Sequence, residues 1–195
     1  MPREQIGTYH LSDNPQLFEI QRNNNYEFVV TDIDGILRAG AVGTEANAKF
    51  KNAQEMLRLS VSQAFIPHFS QETVEIKRGN STLKYAGVPS FSSGQLTFHD
   101  FIGADAKAIL MAWQHLSYNV YTEKVGSLEN TNYKKDCYLI EYPPDYSRKI
   151  RTWRLHGCWV KEIGEDPYTN DNGDKHMINC TIEYDRAELD LTEVV

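Results

Sequence analysis

FVVTDIDGIL, residues 28–37, sets an apolar run against two aspartates that flank a single residue, with glycine following. Two readings of it lead to different folds. In the first, a strand buried on both faces delivers Asp32 as a nucleophile and Asp34 as its acid/base partner, and the sheet around it is parallel. In the second, Asp32-Ile33-Asp34-Gly35 is the turn of a hairpin, because Asp-Gly is a strong short hairpin signal and glycine tolerates positive φ. The neighbouring strands decide between them.

YEFVVT (26–31) predicts a strand with Tyr26, Phe28 and Val30 on one face. TEANAKFKNAQEMLR (44–58) predicts a helix, with Thr44 as N-cap and Ala46, Phe50, Ala53 and Leu57 at helical spacing. LRLSVSQAFI (57–66) alternates and predicts a half-buried strand ended by Pro67. TVEIKRGNSTLKYAG (73–87) predicts a hairpin turning at Arg78-Gly79-Asn80. GQLTFHDF (94–101) is a further strand, and ADAKAILMAWQHL (104–116) carries the best helical stripe, Ala106, Ile109, Leu110, Trp113 and Leu116. Asp105 at its start suits the helix dipole.

Beyond a polar loop (119–132), DCYLIEY (136–142) and KIRTWRLHGCWVKEI (149–163) predict strands, the second broken at Gly157 by a bulge. EDPYTNDNGD (165–174) is an acidic loop, and HMINCTIEYD (176–185) is the last clear strand. Asp185-Arg186-Ala187-Glu188 reads as an ordinary charged segment, and residues 1–24 as a polar arm. About seven strands and two helices result, joined mostly by short turns, so the pairing is antiparallel.

This pattern opposes the nucleophile reading. Only FVV is a continuous apolar run; the later strands alternate. The segment resembles the first motif of the haloacid-dehalogenase-type phosphatases, but that motif usually has Thr after DxDG, where this chain has Ile36. Candidates for an acidic Mg²⁺ motif, Glu165, Asp166, Asp171 and Asp174, lie in a polar loop, and two aspartates alone do not complete a Mg²⁺ shell. The turn is the favoured reading, with a phosphatase kept as an alternative. The six histidines show no HxH or HExxH spacing. Ser92-Ser93-Gly94 is no nucleophile elbow, and Arg78-Gly79-Asn80 lacks the lysine of a phosphate-binding loop. No catalytic set, cofactor site or metal site is predicted.

The chain has 195 residues, 41% hydrophobic, 24% charged and 11% aromatic, which are globular values for one domain. No apolar run is long enough to span a membrane, and MPREQIGTYHLSDNPQ holds no apolar signal segment. Cys137, Cys158 and Cys180 form no CxxC and are predicted as small buried hydrophobes in strands. A net charge of −7 argues against sequence-specific DNA binding, but it suits a wall that must repel a polyanion.

From Ile66-Pro67 onward the residues resemble, in order, the tail tube proteins of contractile-tailed bacteriophages. The series runs through the hairpin 73–87 with Arg78 and Tyr85-Ala86-Gly87, the helix with Trp113-Gln114, and Tyr133-Lys134-Lys135. It continues with Gly157-Cys158-Trp159 and Tyr184-Asp185. The resemblance covers roughly residues 26–188, and the helical insert 44–57 and acidic loop 165–174 depart from the shortest members. It implies a mainly β (α+β) fold, an antiparallel two-sheet sandwich or barrel with a flanking helix, in a single domain 25–195 after the arm.

The resemblance also implies a structural virion protein rather than an enzyme. Its subunits would form hexameric rings that stack into a tube inside a sheath, assembled in the host bacterial cytoplasm. Its partners would be copies of itself, the sheath protein, the tape-measure protein, baseplate and terminator proteins, and DNA that passes without specific binding, with no membrane. A tube-initiating baseplate ring or a secretion-system hexamer is the alternative within the same class. Within this frame Lys77, Arg78, Gly79, Asn80 and Lys84 are candidates for contacts between rings, and Glu72, Asp100, Glu141, Glu183 and Asp185 for an acidic lining of the bore.

Overall fold

The computed structural model describes residues 20–34, 52–103, 105–129, 132–165, 167–168 and 173–190. Along them run β1 (Tyr26–Val30), α1 (Ala53–Ser60), β2 (Val61–Gln63), β3 (Phe69–Arg78), β4 (Ser81–Phe91) and β5 (Gly94–His99). Then come α2 (Ala106–Ser117), β6 (Tyr118–Asn119), β7 (Lys124–Val125), β8 (Lys135–Glu141), β9 (Arg151–Glu165), β10 (Met177–Glu183) and β11 (Arg186–Asp190).

The main sheet has the order β1-β8-β9-β10-β5-β2, with β11 also paired to β9. All its pairings are antiparallel. It is therefore not the parallel sheet that the phosphatase alternative requires. β9 is 15 residues long and belongs to two sheets in turn. Its first half lies between β8 and β11, and its second half pairs with β10. Sharing one strand curls β1-β8-β9-β11 and β9-β10-β5-β2 into a half-barrel, as the barrel-like expectation requires.

Alternation along these strands builds the core. Phe28 and Val30, Cys137 and Leu139, Leu155, Cys158 and Val160, Ile178, Cys180 and Ile182, and Leu96 and Phe98 are all buried. Ile109, Leu110 and Trp113 of α2 close the same cluster, so the helix flanks the sheet with its stripe inward as predicted. Burying side chains of this size is worth about 1.5–3 kcal/mol each. Asp105 is a true N-cap: its carboxylate accepts from the Ala108 amide at 2.9 Å. Two α2 side chains dock the helix. Trp113 Nε1 donates to the Tyr133 carbonyl at 2.7 Å, and Gln114 Nε2 to the Lys161 carbonyl at 3.2 Å.

Several expectations are corrected. The helix expected at 44–57 is seen at Ala53–Ser60, with residues 44–51 outside the described residues. It runs through Ser60, so the strand expected over 57–66 shrinks to Val61–Gln63. Leu57, Leu59 and Val61 alternate in sequence, yet Leu57 is 2% exposed and Leu59 64%. The buried set is Ala53, Leu57 and Ser60, which is helical spacing.

Among the described residues Asp32-Ile33-Asp34 closes no hairpin: β1 pairs with β8, far along the chain. Asp32 turns the chain at φ 55, Ile33 is fully buried in the core, and Asp34 Oδ1 accepts from the Gln54 amide at 2.8 Å. The second aspartate thus caps α1 from a distance, while Gly35 and Ile36 fall outside the described residues. The segment read as ordinary charge after Asp185 is β11, and the polar loop 119–132 contains the short β6–β7 pair. Of the acidic loop 165–174, residues 166 and 169–172 lie outside the described residues, and so do 1–19 of the arm.

Candidate assembly interface

β3 and β4 form a long hairpin closed by Gly79-Asn80. Gly79 sits at φ 63, a conformation that glycine adopts without strain and that matches the twist of the flanking strands. The hairpin is longer than the predicted 73–87, and every residue of β3 is exposed. Its register places Val74 opposite Tyr85 and Ile76 opposite Leu83, so four apolar side chains share one face. All four are 38–52% exposed. The other face is polar, with Glu75 opposite Lys84 and their charges 3.3 Å apart. Lys77, Arg78, Gly79, Asn80 and Lys84 gather at the tip, exposed to solvent.

The base of this hairpin is fixed. Phe69 and Phe91 lie 5.7 Å apart, Phe91 meets Tyr184 at 5.9 Å, and Tyr184 stacks on Phe65 at 5.7 Å. The Tyr184 hydroxyl donates to the His68 carbonyl at 3.4 Å. A root packed by aromatic contacts therefore carries an amphipathic ribbon whose apolar face is about half exposed among the described residues. Isolated two-stranded ribbons are marginal in water, and exposed apolar patches are candidates for interaction surfaces.

A second feature lies where β9 passes from one sheet to the other. Gly157 has φ 66, and the β8–β9 register shifts there: Cys137 pairs with Leu155 but Lys135 with Cys158. Asp185, between β10 and β11, faces Gly157, and its amide donates to the His156 carbonyl at 2.9 Å. Lys134 Nζ donates to both Asp185 carboxylate oxygens at 2.7 and 2.8 Å. On β8, Asp136 accepts from Arg154 Nη2 at 2.9 Å and lies 3.4 Å from His156 Nδ1. His156 Nε2 in turn meets Glu188 Oε1 at 2.9 Å. Burial works to raise the Asp136 carboxyl. The bond from Arg154, the charges of His156 and Arg154, and the Gly157 N–H outweigh it, so the group titrates below the usual carboxylate value. Glu188 is also lowered, first by its bond to His156.

The five acidic candidates are dispersed. Glu72 stands exposed on the hairpin. The Asp100 carboxylate accepts from His176 Nδ1 at 3.0 Å, and His176 stacks on Tyr168 at 4.5 Å. Glu141 binds Arg151 at 2.8 Å, Glu183 meets Lys161 at 2.5 Å, and Asp185 meets Lys134. Four of the five thus face a basic side chain. Sequence reasoning missed these pairings because each joins residues distant along the chain. It also missed the apolar face of the hairpin, since alternation says which residues share a face but not whether the chain covers it.

Among the described residues no group of three His, Cys, Asp or Glu side chains could hold a metal. The three cysteines are free and buried, as predicted. Burial first, then the neighbouring Cys158, pushes the Cys137 thiol well up, and burial pushes Cys180 up to about 12. Such thiols are poor nucleophiles and ligands at neutral pH.

The fold is thus a curled antiparallel half-barrel with a flanking helix and a projecting hairpin. Solved structures share it. A chain from the extended PVC sheath/tube terminator of an extracellular contractile injection system superposes with TM-score 0.61 at 14% identity, over 88% of this chain and 97% of that one. A chain from the PVC sheath–tube complex, also extended, gives TM-score 0.58 at 13% identity, over 92% and 97%. A chain from the tube-terminating cap of the anti-feeding prophage gives 0.58 at 11% identity, over 88% and 91%. No family model matches the sequence, and no curated protein matches it.

Proposed function

We propose that this protein is a structural subunit of the inner tube of a contractile, tail-like machine, forming hexameric rings that stack into a hollow tube. The single observation that carries this reading is the half-barrel with partners missing. β1, β2 and β11 each have a ladder on one side among the described residues, and the β3–β4 ribbon exposes an apolar face. Copies around a ring close the sheet edges into a barrel and remove the hazard of open strands. Heterologous contacts of this kind close by rotation, and stacking extends them into a filament. The hairpin tip, Lys77 to Lys84, reaches the next ring. The outer face of α2, with Met111, and the β6–β7 turn, with Tyr121 and Val125 exposed, meet the sheath.

Residues 25–195 act as one domain and 1–24 as an arm. The sequence resemblance favours a phage virion, in which the bore guides the tape-measure protein and then DNA past a wall that includes Glu72, Asp100, Glu141, Glu183 and Asp185. No cofactor is required, and the chain turns over no substrate. A second reading, a terminator, cap or baseplate ring, is favoured by the likeness to a sheath/tube terminator and to a cap. Negative-stain microscopy of the purified protein separates them. Long hollow tubes with six-fold end views support the tube body, and isolated rings support the terminal ring. Monodisperse monomers at every concentration would defeat both.

A further inference from the structure

We infer that Asp185, clamped by Lys134 against Gly157, is a strut that fixes the angle between the two halves of the barrel sheet, and so the curvature with which subunits close a ring. The inference deepens the tube-subunit reading and rests on it for its second half only.

The geometry points to a bend held from three strands. β9 changes sheets at Gly157, where φ 66 and the register shift turn the strand. A methyl group built on Gly157 would collide with the carboxyl carbon of Asp185 at 2.8 Å and would strike its Oδ2 as well. The carboxylate therefore fills the place that a side chain at 157 would take. It cannot swing away freely, because Lys134, just before β8, grips both of its oxygens. From the β8 side Asp136 takes the Gly157 N–H and Arg154, and His156 passes the contact on to Glu188 of β11.

The residues that carried the sequence resemblance converge here. Tyr133 accepts from Trp113 and packs edge-on against Trp159 at 6.4 Å; Lys134 holds Asp185; Asp185 faces Gly157. A surface ion pair alone contributes little to stability. Lys134 is 27% and Asp185 58% exposed, so the pair matters by placement: one ammonium touches both carboxylate oxygens and holds them over Gly157, selecting one angle for a bend that a glycine would otherwise leave free. Asp185, expected from sequence in the acidic lining of the bore, also contacts Lys134 and Gly157.

The test reads the bend in the isolated subunit and in the assembly separately. Spin labels are placed at Val29→Cys on β1 and Gln95→Cys on β5, one on each sheet; the three native thiols are buried and escape labelling. The expected result is one narrow distance in the parent protein, shifted or broadened by Asp185→Asn and by Lys134→Met while circular dichroism stays native. Lys134→Met keeps the aliphatic stem and removes only the ammonium, which keeps the variant foldable even if Asp185→Asn proves fragile. Distances unchanged in both folded variants would overturn the strut. Ring images of the same unlabelled variants then test the consequence: altered diameter or open arcs support it. Parent-like rings from variants with an altered distance would refute the link to ring curvature. A parent that forms no rings would defeat the tube reading and leave the distance measurement to decide the strut.

Discussion

Asp34 shows what a motif residue does once its fold is known. Its carboxylate meets the Gln54 amide at 2.8 Å at the start of α1, where Asn52 provides no side-chain cap. Asp34→Ala is expected to lower stability by about 1 kcal/mol, the usual worth of a helix cap, measured by urea denaturation. An unchanged midpoint would show that the bond is not formed in solution. Cys137, Cys158 and Cys180 are all buried, and burial pushes the Cys137 and Cys180 thiols up, so an alkylating reagent at neutral pH should modify none in the native protein and all after denaturation. Asp136 and Glu188 titrate below the ordinary carboxylate value in the folded state. A depressed folded pKa contributes stability above the unfolded pKa of roughly 4, and that contribution is lost as pH falls through the folded value. Urea midpoints taken down the acid range should therefore decline, and Asp136→Asn should flatten the decline. A profile as steep as the parent's would remove Asp136 from the account.

Among the elements, α2, β5, β8, β10 and the β3–β4 hairpin were legible because periodicity and turn chemistry agree in each. Ala106, Ile109, Leu110 and Trp113 mark one helical face, and Gly79 marks one turn. β11 was not legible: its apolar positions are Ala187 and Leu189, set among Arg186, Glu188 and Asp190, and it becomes a strand only because β9 offers it a ladder. α1 was misjudged at its end because Leu59 is apolar yet points to solvent. Of the candidate interface, the tip residues could be read from sequence. The exposure of Val74, Ile76, Leu83 and Tyr85 could not, since it depends on what the rest of the fold leaves uncovered. Placing charge on that face tests its role. Ile76→Asp with Leu83→Lys, an opposed pair, should leave the subunit's stability within about 0.5 kcal/mol, as for surface substitutions, while sedimentation shows assembly lost. Assembly at the parent's level would mean that the apolar face is not an interface.

At the scale of the whole molecule, the proposal is that copies of the chain complete the half-barrel. Among the described residues β1, β2 and β11 are paired on one side only, the longest strand turns at Gly157, and the hairpin strand β3 is exposed along its length. Under the proposed function each of these features suits a repeating wall. The measurement that bears most directly on this is an image reconstruction of assembled particles fine enough to trace one subunit. The account predicts that β1, β2 or β11 is continued by strands of adjacent copies around a hollow axis, with Val74, Ile76, Leu83 and Tyr85 buried on a neighbour. Particles in which those strands and that face remain in solvent would contradict it.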